Sequence, residues 1–339
     1  MSPADDLPIQ SVLHNTRVPI PENLGRLRRV QRLGSGGFAS VWLYRDDQLD
    51  SLVAVKALAD NWSDRADIRE RFLDEARILR RADSDFVVRV HDIGVTDDDI
   101  PYFVMTYADR GTVADLLVDG VQVDPALVAD LVEQAARGLA VIHGLGIVHR
   151  DVKPQNLLLA ATRDGGTRVL VADLGVAKAL LHATGITQVV GTPAYMAPEQ
   201  VHMETALDQR ADVHALGAVA YHLLTGRPAR TGDMVTLMRA ELPPLPSDVA
   251  GLPTAYDGVL LRAVHPDRDE RWPDTVTFAK ALRQAVDEPT VITPVPRPKP
   301  EPAVERSPSA RLSGVGVGTW VVALVVMLVA YAAGYLLFR

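Results

Sequence analysis

The most informative stretch of this chain is His149-Arg-Asp-Val-Lys-Pro-Gln-Asn156. It places a carboxylate (Asp151), an ammonium group (Lys153) and a side-chain amide (Asn156) within six residues. A carboxylate orients a proton, an ammonium group neutralises an anion, and an amide oxygen ligates a hard cation. One short loop therefore holds the residue types that an active site needs to handle a proton, an anion and a metal ion.

The composition is that of a globular protein without a nucleic-acid partner. The 339 residues suffice for one large domain or two ordinary ones, and 47% of them are apolar. The formal net charge is −8, so the phosphates of a nucleic acid would be repelled. The sequence contains no cysteine, which excludes disulfides, thiolate metal sites and cysteine nucleophiles.

Four zones follow one another along the chain. Residues 1–27 are polar with several prolines, and we expect them to form a lead-in. Residues 28–285 alternate strand-like and helix-like patterns, which predicts one globular unit of α and β structure. Residues 286–314 are rich in proline, a composition that favours polyproline II and predicts a semi-rigid linker. Residues 315–338 carry no charged side chain.

The uncharged stretch 315–338 predicts one transmembrane helix. As an α-helix it would extend about 36 Å, enough for a bilayer core of about 30 Å. Trp320 lies near one end and Tyr335 and Phe338 near the other, as aromatic residues at membrane interfaces do. A buried core helix and a cleaved C-terminal sorting tail are the alternatives. The proline-rich linker favours the membrane, because it separates the stretch from any core.

Three segments that precede the loop at residues 149–156 carry residues suited to binding phosphate. Leu33-Gly-Ser-Gly-Gly-Phe-Ala-Ser-Val41 has three glycines, whose backbone amides can approach phosphate oxygens, although a purely structural turn is the alternative. Val53-Ala-Val-Lys56 is a short β-branched strand that contains a lysine. Residues 64–81 have the apolar spacing of an amphipathic helix, with Glu75 on the apolar side.

Further motifs follow at intervals along the globular zone. They are Tyr102-Phe-Val-Met-Thr-Tyr-Ala108, Val169-Leu-Val-Ala-Asp173-Leu-Gly175, Gly191-Thr-Pro-Ala-Tyr-Met-Ala-Pro-Glu199, Ala211-Asp-Val-His-Ala-Leu-Gly217 and Asp269-Glu-Arg-Trp272. Each motif alone would be an ordinary strand, turn or helix. Their order and spacing together are the decisive observation.

In this order the motifs resemble those of bacterial Hanks-type (eukaryotic-like) serine/threonine protein kinases. The resemblance covers residues 33–272 and implies an α+β, bilobal protein-kinase fold, with a β-rich N-lobe, a helical C-lobe and ATP between them. Two positions depart from the family pattern. Ala39 replaces the third glycine of the loop, from which we expect reduced flexibility. Leu174 replaces the phenylalanine of the Asp-Phe-Gly motif but keeps an apolar side chain.

The resemblance implies the catalytic roles. Asp151 would orient the hydroxyl of the substrate, and Lys153 would neutralise the γ-phosphate. Lys56, paired with Glu75, would hold the α- and β-phosphates. Thr192 would contact the catalytic aspartate. Lysine two residues after that aspartate is the pattern of serine/threonine kinases rather than of tyrosine kinases.

The same resemblance implies the metal-binding and nucleotide-binding residues. Asn156 and Asp173 would bind Mg²⁺, with Mn²⁺ as an alternative metal. Asp212 would anchor the catalytic loop, and Arg271 would pair with Glu199. The residues implied to surround ATP are Leu33, Gly34, Ser35, Gly36, Gly37, Phe38, Val41, Ala54, Lys56, Met105 as gatekeeper, Tyr107, Ala108 and Leu158.

Regulation by phosphate is a further implication. Arg150 precedes the catalytic aspartate, as in kinases whose activation loop is ordered by a phosphorylated residue. A phosphothreonine pairs well with arginine, which predicts autophosphorylation in trans at Thr184, Thr187 or both, with help from Lys178. Unmodified loop threonines are the alternative.

The sequence also predicts a location. The N-terminus lacks the basic and apolar regions of a signal peptide, and Lys299, Arg306 and Arg311 precede the span while Arg339 follows it. We therefore expect a single-pass cell-membrane protein with a cytoplasmic kinase domain and no outer sensor domain. Its signal would come from a partner protein, from contacts between N-lobes or from lateral association. Gly314-x-x-x-Gly318 is a candidate homodimer contact.

The leading prediction is a membrane-anchored kinase that transfers the γ-phosphate of ATP to serine and threonine hydroxyls of protein substrates. A pseudokinase membrane scaffold is the rival from another class, and the presence of all the phosphate-handling residues argues against it. A small-molecule kinase of similar fold is a third possibility. The Ala197-Pro-Glu199 segment and Thr192, which serve peptide docking in the family, argue against that one.

Overall fold

The structure, a computed structural model, describes residues 20–175, 193–202, 207–231 and 241–288. In these ranges no helix is long and apolar enough to cross a membrane. The predicted span at 315–338 and most of the predicted linker lie outside the described residues.

The first lobe is a sheet of six antiparallel strands in the order β1-β2-β3-β4-β6-β5. The strands are β1 Asn23–Leu24, β2 Leu27–Ser35, β3 Ala39–Asp46, β4 Ser51–Leu58, β5 Val90–Val95 and β6 Pro101–Thr106. Helix α1, Ala66–Arg81, buries Ile68, Phe72 and Leu79, which recur at helical spacing and so share one face. The Phe72 ring lies 5.1 Å from the Phe103 ring of β6, so this face packs on the sheet.

The sheet starts earlier than the predicted boundary at residue 28. Strand β1 lies within the stretch 1–27 that was predicted to be a lead-in. Ile20 is buried in the same apolar cluster as Tyr44, whose hydroxyl donates a hydrogen bond to the Pro21 carbonyl at 2.5 Å. A single buried isoleucine among polar and proline residues gives no periodic pattern, so the sequence did not reveal this start.

The second lobe is helical and is built around one buried helix. The helices are α2 Pro125–Gly144, α3 Pro198–Val201, α4 Arg210–Thr225, α5 Pro246–Ala250, α6 Ala255–Ala263 and α7 Thr275–Asp287. Short 3₁₀ turns occur at Asp60–Trp62, Val113–Leu116, Pro154–Asn156, Pro193–Tyr195 and Arg268–Glu270. Helix α4 has 14 buried residues among 16, and helices α2, α6 and α7 pack against it. A helix that is apolar on all sides must lie at the centre of its lobe.

Local sequence sets the ends of these helices. The side chain of Asp124 caps α2 by accepting hydrogen bonds from the amides of Ala126 and Leu127, and Pro125 occupies the first helical position. Helix α4 ends at Gly226, which has a φ of 68°. A Cβ at Gly226 would lie 2.7 Å from the backbone of Gly120, so both its conformation and its close packing require glycine.

A hairpin of two strands follows the loop at residues 149–156 and fixes its C-terminal end. Strand β7, Leu157–Ala161, begins directly after Asn156, and strand β8, Thr167–Val171, ends two residues before Asp173. Leu157 pairs with Val171 at the open end of the hairpin, away from its turn. The Ala172 amide also donates to the Asn156 carbonyl at 3.0 Å. The hairpin therefore brings Asn156 and Asp173, 17 residues apart in sequence, to the same end of the strand pair.

Candidate active site

Lys56 of strand β4 joins two acidic groups from different elements. Its Nζ lies 2.7 Å from Oε1 of Glu75 on helix α1 and 2.7 Å from Oδ1 of Asp173 after strand β8. Burial opposes the positive charge of Lys56, but the Asp173 and Glu75 carboxylates outweigh it and raise the pKa of the lysine above its usual value. Lys56 is therefore a fixed cation at the mouth of the hairpin.

In the loop at residues 149–156, the side chains of Lys153 and Asn156 both contact the side chain of Asp151. Nζ of Lys153 lies 3.1 Å from Oδ2 of Asp151. Nδ2 of Asn156 donates to Oδ2 of Asp151 at 2.8 Å and to the Asp151 carbonyl at 2.7 Å. These contacts hold the carboxylate in one orientation before any substrate binds, which is the preorganisation that catalysis by positioning requires.

The buried carboxylate of Asp212 fixes the backbone at the start of this loop. Asp212, in the first turn of α4, accepts hydrogen bonds from the backbone amides of His149 at 2.8 Å and Arg150 at 2.9 Å. Nε2 of His143, at the end of α2, lies 2.7 Å from the same carboxylate. Arg150 has a φ of 67°, a conformation that costs energy for a residue other than glycine. The Asp212 contacts stabilise this strained backbone directly before Asp151.

His149 connects the loop to the strand that carries Asp173. Its side chain is buried, and Nε2 lies 3.0 Å from the carbonyl oxygen of Ala172. Burial lowers the pKa of His149, so its ring is neutral at physiological pH. The His149 carbonyl accepts a hydrogen bond from the Gly175 amide at 2.9 Å. Ala172, directly before Asp173, and Gly175 are thus both bonded to His149 of the catalytic loop. Leu174 between them is buried in the apolar core, as expected.

The predicted adenine residues share one apolar cluster. Ala54 and Met105 face each other across strands β4 and β6 and are buried. The partly buried residues that pack against this cluster include Phe38, Val41, Tyr107, Ala108 and Leu158. Leu33 is 40% exposed and does not belong to it. A flat apolar ring has a suitable surface here, and the backbone of Tyr107 and Ala108 lies at its edge.

The glycine-rich loop is open where a phosphate would approach. Residues 34–37 are exposed, and a Cβ at Gly34 would meet no atom within 4 Å. A Cβ at Gly36 would meet the Ala39 carbonyl at 3.8 Å. The turn between β2 and β3 is closed by a hydrogen bond from the Gly36 amide to the Ala39 carbonyl at 2.9 Å. Ala39 therefore fits the turn at the position where the family pattern has glycine.

The donor groups fit a metal ion that is bound together with a nucleotide. Asp173 contributes a carboxylate that is 43% exposed, and the Asn156 amide is oriented by its two bonds to Asp151. Among the described residues no group of three or more His, Cys, Asp or Glu side chains can hold a metal ion alone. Mg²⁺ commonly binds through one or two protein oxygens plus substrate phosphates, and these residues match that requirement.

A buried ion pair joins Arg271 to Glu199 within the helical lobe. Both Nη atoms of Arg271 bind the Glu199 carboxylate, at 2.7 and 2.8 Å. The other N–H groups of Arg271 donate to the carbonyl oxygens of His265, Pro266 and Arg210. Gln200, next to Glu199, donates to the Arg150 carbonyl at 2.8 Å, so helix α3 also touches the catalytic loop.

The structure joins Lys56 to Glu75 and Asp173. It also joins Asp151 to Lys153 and Asn156, and it adds contacts that the sequence did not reveal. His143, Gln200 and Trp62, which contacts the glycine-rich loop, lie outside the recognised roles. Each acts through a contact far away in sequence, and a lone histidine, glutamine or tryptophan gives no pattern that predicts it. Thr192 and the predicted phosphorylation sites Thr184 and Thr187 lie outside the described residues.

Comparison with known proteins assigns this architecture to a family. Residues 27–241 match the protein kinase domain family model. PknL of Mycobacterium tuberculosis is 32% identical over 278 residues, which cover 78% of this chain and 68% of PknL. PknA of Corynebacterium glutamicum is 31% identical over 345 residues, with 91% and 71% covered. Both are named serine/threonine-protein kinases.

Other relatives are longer than this chain. Pkn2 and Pkn1 of Myxococcus xanthus are 33% and 34% identical to it, and the chain spans 37% and 39% of their lengths. The crystal structure of the PknI kinase domain of Mycobacterium tuberculosis aligns with a TM-score of 0.61 at 27% identity, covering 77% of this chain and 97% of that one. This chain belongs to the bacterial serine/threonine protein kinase family, whose members use ATP and a divalent metal ion.

Proposed function

We propose that this chain is a membrane-anchored protein kinase that transfers the γ-phosphate of ATP to serine and threonine hydroxyls of other proteins. One observation carries the kinase part of the proposal: Lys56 bonds to both Glu75 and Asp173, while Asp151 is held by Lys153 and Asn156 a few residues away. Groups for phosphate, metal and hydroxyl thus converge from four separate segments.

The proposed reaction depends on positioning rather than on a covalent enzyme intermediate. A bond forms between the substrate hydroxyl oxygen and the γ-phosphorus, and the bond from that phosphorus to the bridging oxygen breaks. ADP leaves with the electron pair of the broken bond, and the hydroxyl proton passes to the Asp151 carboxylate and from there to solvent. Asp151 accepts a hydrogen bond from the attacking hydroxyl and aims it. Lys153 offsets the negative charge that develops on the oxygens of the transferred phosphoryl group. Lys56 offsets the charge of the α- and β-phosphates. ATP supplies the phosphoryl group, and Asp173 and Asn156 would hold a Mg²⁺ ion that would neutralise part of its charge.

The geometry argues against a pseudokinase. A scaffold that does not catalyse phosphotransfer has no need to keep Lys56 bonded to Glu75, or to hold Asp151 by a cation and an amide together. Both arrangements are present, and the strained φ of Arg150 is maintained beside them. Strain of this kind persists where the surrounding structure enforces it, as at catalytic sites.

Lys56→Met should abolish most phosphotransfer by the full-length protein. Loss of one preorganised charge at the phosphates is expected to lower the rate by roughly 10²- to 10³-fold. The measurement is transfer of labelled γ-phosphate to a generic protein substrate, followed by identification of the labelled amino acid. Lys280→Met, at an exposed position of α7, is the matched control and should keep wild-type activity. Undiminished transfer by Lys56→Met, or no transfer by the wild type, would contradict the proposal.

The same variant tests the proposed activation by autophosphorylation in trans. Lys56→Met prepared alone should carry no phosphate at Thr184 or Thr187. It should gain phosphate there when it is mixed with the wild-type protein and ATP, because one molecule modifies another. Peptide mass mapping reads out both states. If Lys56→Met stayed unmodified after incubation with the wild-type protein and ATP, the trans mechanism would be excluded.

The membrane anchor is the part of the proposal that rests on sequence alone. Val325→Arg with Val326→Arg places two charges at the middle of the uncharged stretch, where each costs about 2.5–3.5 kcal/mol in a helix centre. The double variant should move from the membrane fraction to the soluble fraction after alkaline extraction. Val325→Leu, which keeps the apolar character, should stay with the membrane. A wild-type protein that extracts as soluble would overturn the anchor without affecting the kinase assignment.

A further inference from the structure

The indole ring of Trp62 is bonded to the glycine-rich loop. Trp62 ends the short 3₁₀ turn between strand β4 and helix α1. Its Nε1–H donates to the carbonyl oxygen of Gly37 at 2.8 Å, and its ring centre lies 5.3 Å from that of Phe38. The amide of Ala59 donates to the Phe38 carbonyl at 2.7 Å. Two successive carbonyls of the loop are therefore bonded to one short segment of chain.

That segment is itself well fixed. Trp62 is partly buried and packs against two apolar clusters, the one that contains Phe72 and Phe103 and the one that contains Tyr44. Its carbonyl accepts a hydrogen bond from the Arg65 amide at 3.1 Å, directly before helix α1 begins. Arg69 of that helix donates to the Ser63 carbonyl at 3.2 Å. The indole thus projects from a rigid base that also leads into the helix carrying Glu75.

Ordering the glycine-rich loop costs free energy. Gly34, Gly36 and Gly37 are exposed, and ordering the backbone of one residue costs about 1–2 kcal/mol. A loop that is mobile in the free protein must be ordered when a nucleotide binds, and this cost weakens the affinity. A contact that holds the loop beforehand removes part of the cost. Because the gain is in the binding step, it should appear in nucleotide affinity rather than in the rate of the chemical step.

We propose that Trp62 is a positioning residue for nucleotide binding, which holds Gly37 and Phe38 in place above the phosphate site. The inference rests on the proposed kinase function, since it assumes that ATP binds beneath this loop. It extends that function by assigning a residue outside the recognised motifs to the ATP site. The bond from the indole N–H to Gly37 is the specific contact, and the ring packing on Phe38 supports it.

Trp62→Phe tests the proposal because it removes the indole N–H but keeps an aromatic ring. The matched control is Trp42→Phe in the same lobe, where the indole N–H donates to the Ser40 hydroxyl on the same strand at 2.9 Å. In the full-length protein, Trp62→Phe should raise the KM for ATP about 2- to 10-fold, the effect of one net hydrogen bond, with kcat nearly unchanged. The control should leave both constants at wild-type values.

Hydrogen exchange supplies a readout that does not depend on activity. The amides of residues 36–38 should exchange faster in Trp62→Phe than in wild type, and those of helix α1 should not. Trp62→Ala, which also removes the ring, should show larger changes in both measurements. An unchanged KM together with unchanged exchange would overturn the inference, as would a fall in kcat at constant KM. Absence of phosphotransfer by the wild type would instead refute the proposed function, and loop exchange would still test the contact.

Discussion

Replacing Asp151 with asparagine is expected to lower the rate of phosphotransfer by roughly 10²- to 10⁴-fold, the range attributed to a positioned acid or base. The Asp151 carboxylate is fixed by Lys153 at 3.1 Å and by Asn156 at 2.8 Å, and its side chain is 10% exposed. Asparagine has nearly the same shape, but it loses the negative charge and one of the two acceptor oxygens. An amide is therefore a poor acceptor for the hydroxyl proton, and it presents no negative charge to Lys153.

The effect should fall on kcat and spare the binding of ATP, because Asp151 lies on the side of the substrate hydroxyl. The measurement is kcat and KM for ATP with the full-length protein, together with a urea unfolding curve. Asp85→Asn is the matched control, since that carboxylate is 76% exposed and pairs with Arg168 at the surface. The control should keep wild-type constants. A catalytic role for Asp151 would be excluded if its asparagine variant transferred phosphate as fast as the control.

The motifs predicted the contacts that depend on fixed spacing within the family pattern. Lys56 and Glu75 lie 19 residues apart and meet at 2.7 Å, as the strand–helix order implies. Arg271 and Glu199 lie 72 residues apart and form the expected pair. Helix α1 spans Ala66–Arg81, close to the predicted 64–81. In each case apolar periodicity or a motif fixes the element, and the resemblance supplies the partner.

Other contacts could not be predicted, because they arise from how elements pack and not from any local pattern. His143 reaches Asp212 across 69 residues, and Trp62 reaches Gly37 across 25. Neither residue belongs to a motif, and each would serve equally well as ordinary core. The early start of the sheet depends on a single buried side chain, Ile20. Such features require the tertiary structure, since one residue carries too little information to indicate its partner.

Arg271→Met should lower the free energy of unfolding by about 3–5 kcal/mol, the cost of breaking a buried ion pair. The Arg271 side chain is fully buried, and that of Glu199 is 6% exposed. Arginine has five N–H donors, and here all of them are used, two on Glu199 and three on backbone carbonyls. Methionine fills much of the volume but removes all five hydrogen bonds, including both to the Glu199 carboxylate, in a region that water does not reach.

Urea unfolding of the full-length protein measures this loss. Three further variants identify its cause: Arg137→Met, Glu199→Met, and Glu199→Met combined with Arg271→Met. Arg137→Met removes a surface pair with Glu133, in which the arginine is 56% exposed, and should cost about 0.5 kcal/mol or less. Glu199→Met with Arg271→Met removes both charges, so it should cost less than the two single changes added together. If Arg271→Met unfolded at the same urea concentration as Arg137→Met, the pair would not stabilise the lobe. A strictly additive double variant would show instead that Arg271 stabilises the lobe through its bonds to the carbonyls of His265, Pro266 and Arg210, and not through its charge pair with Glu199.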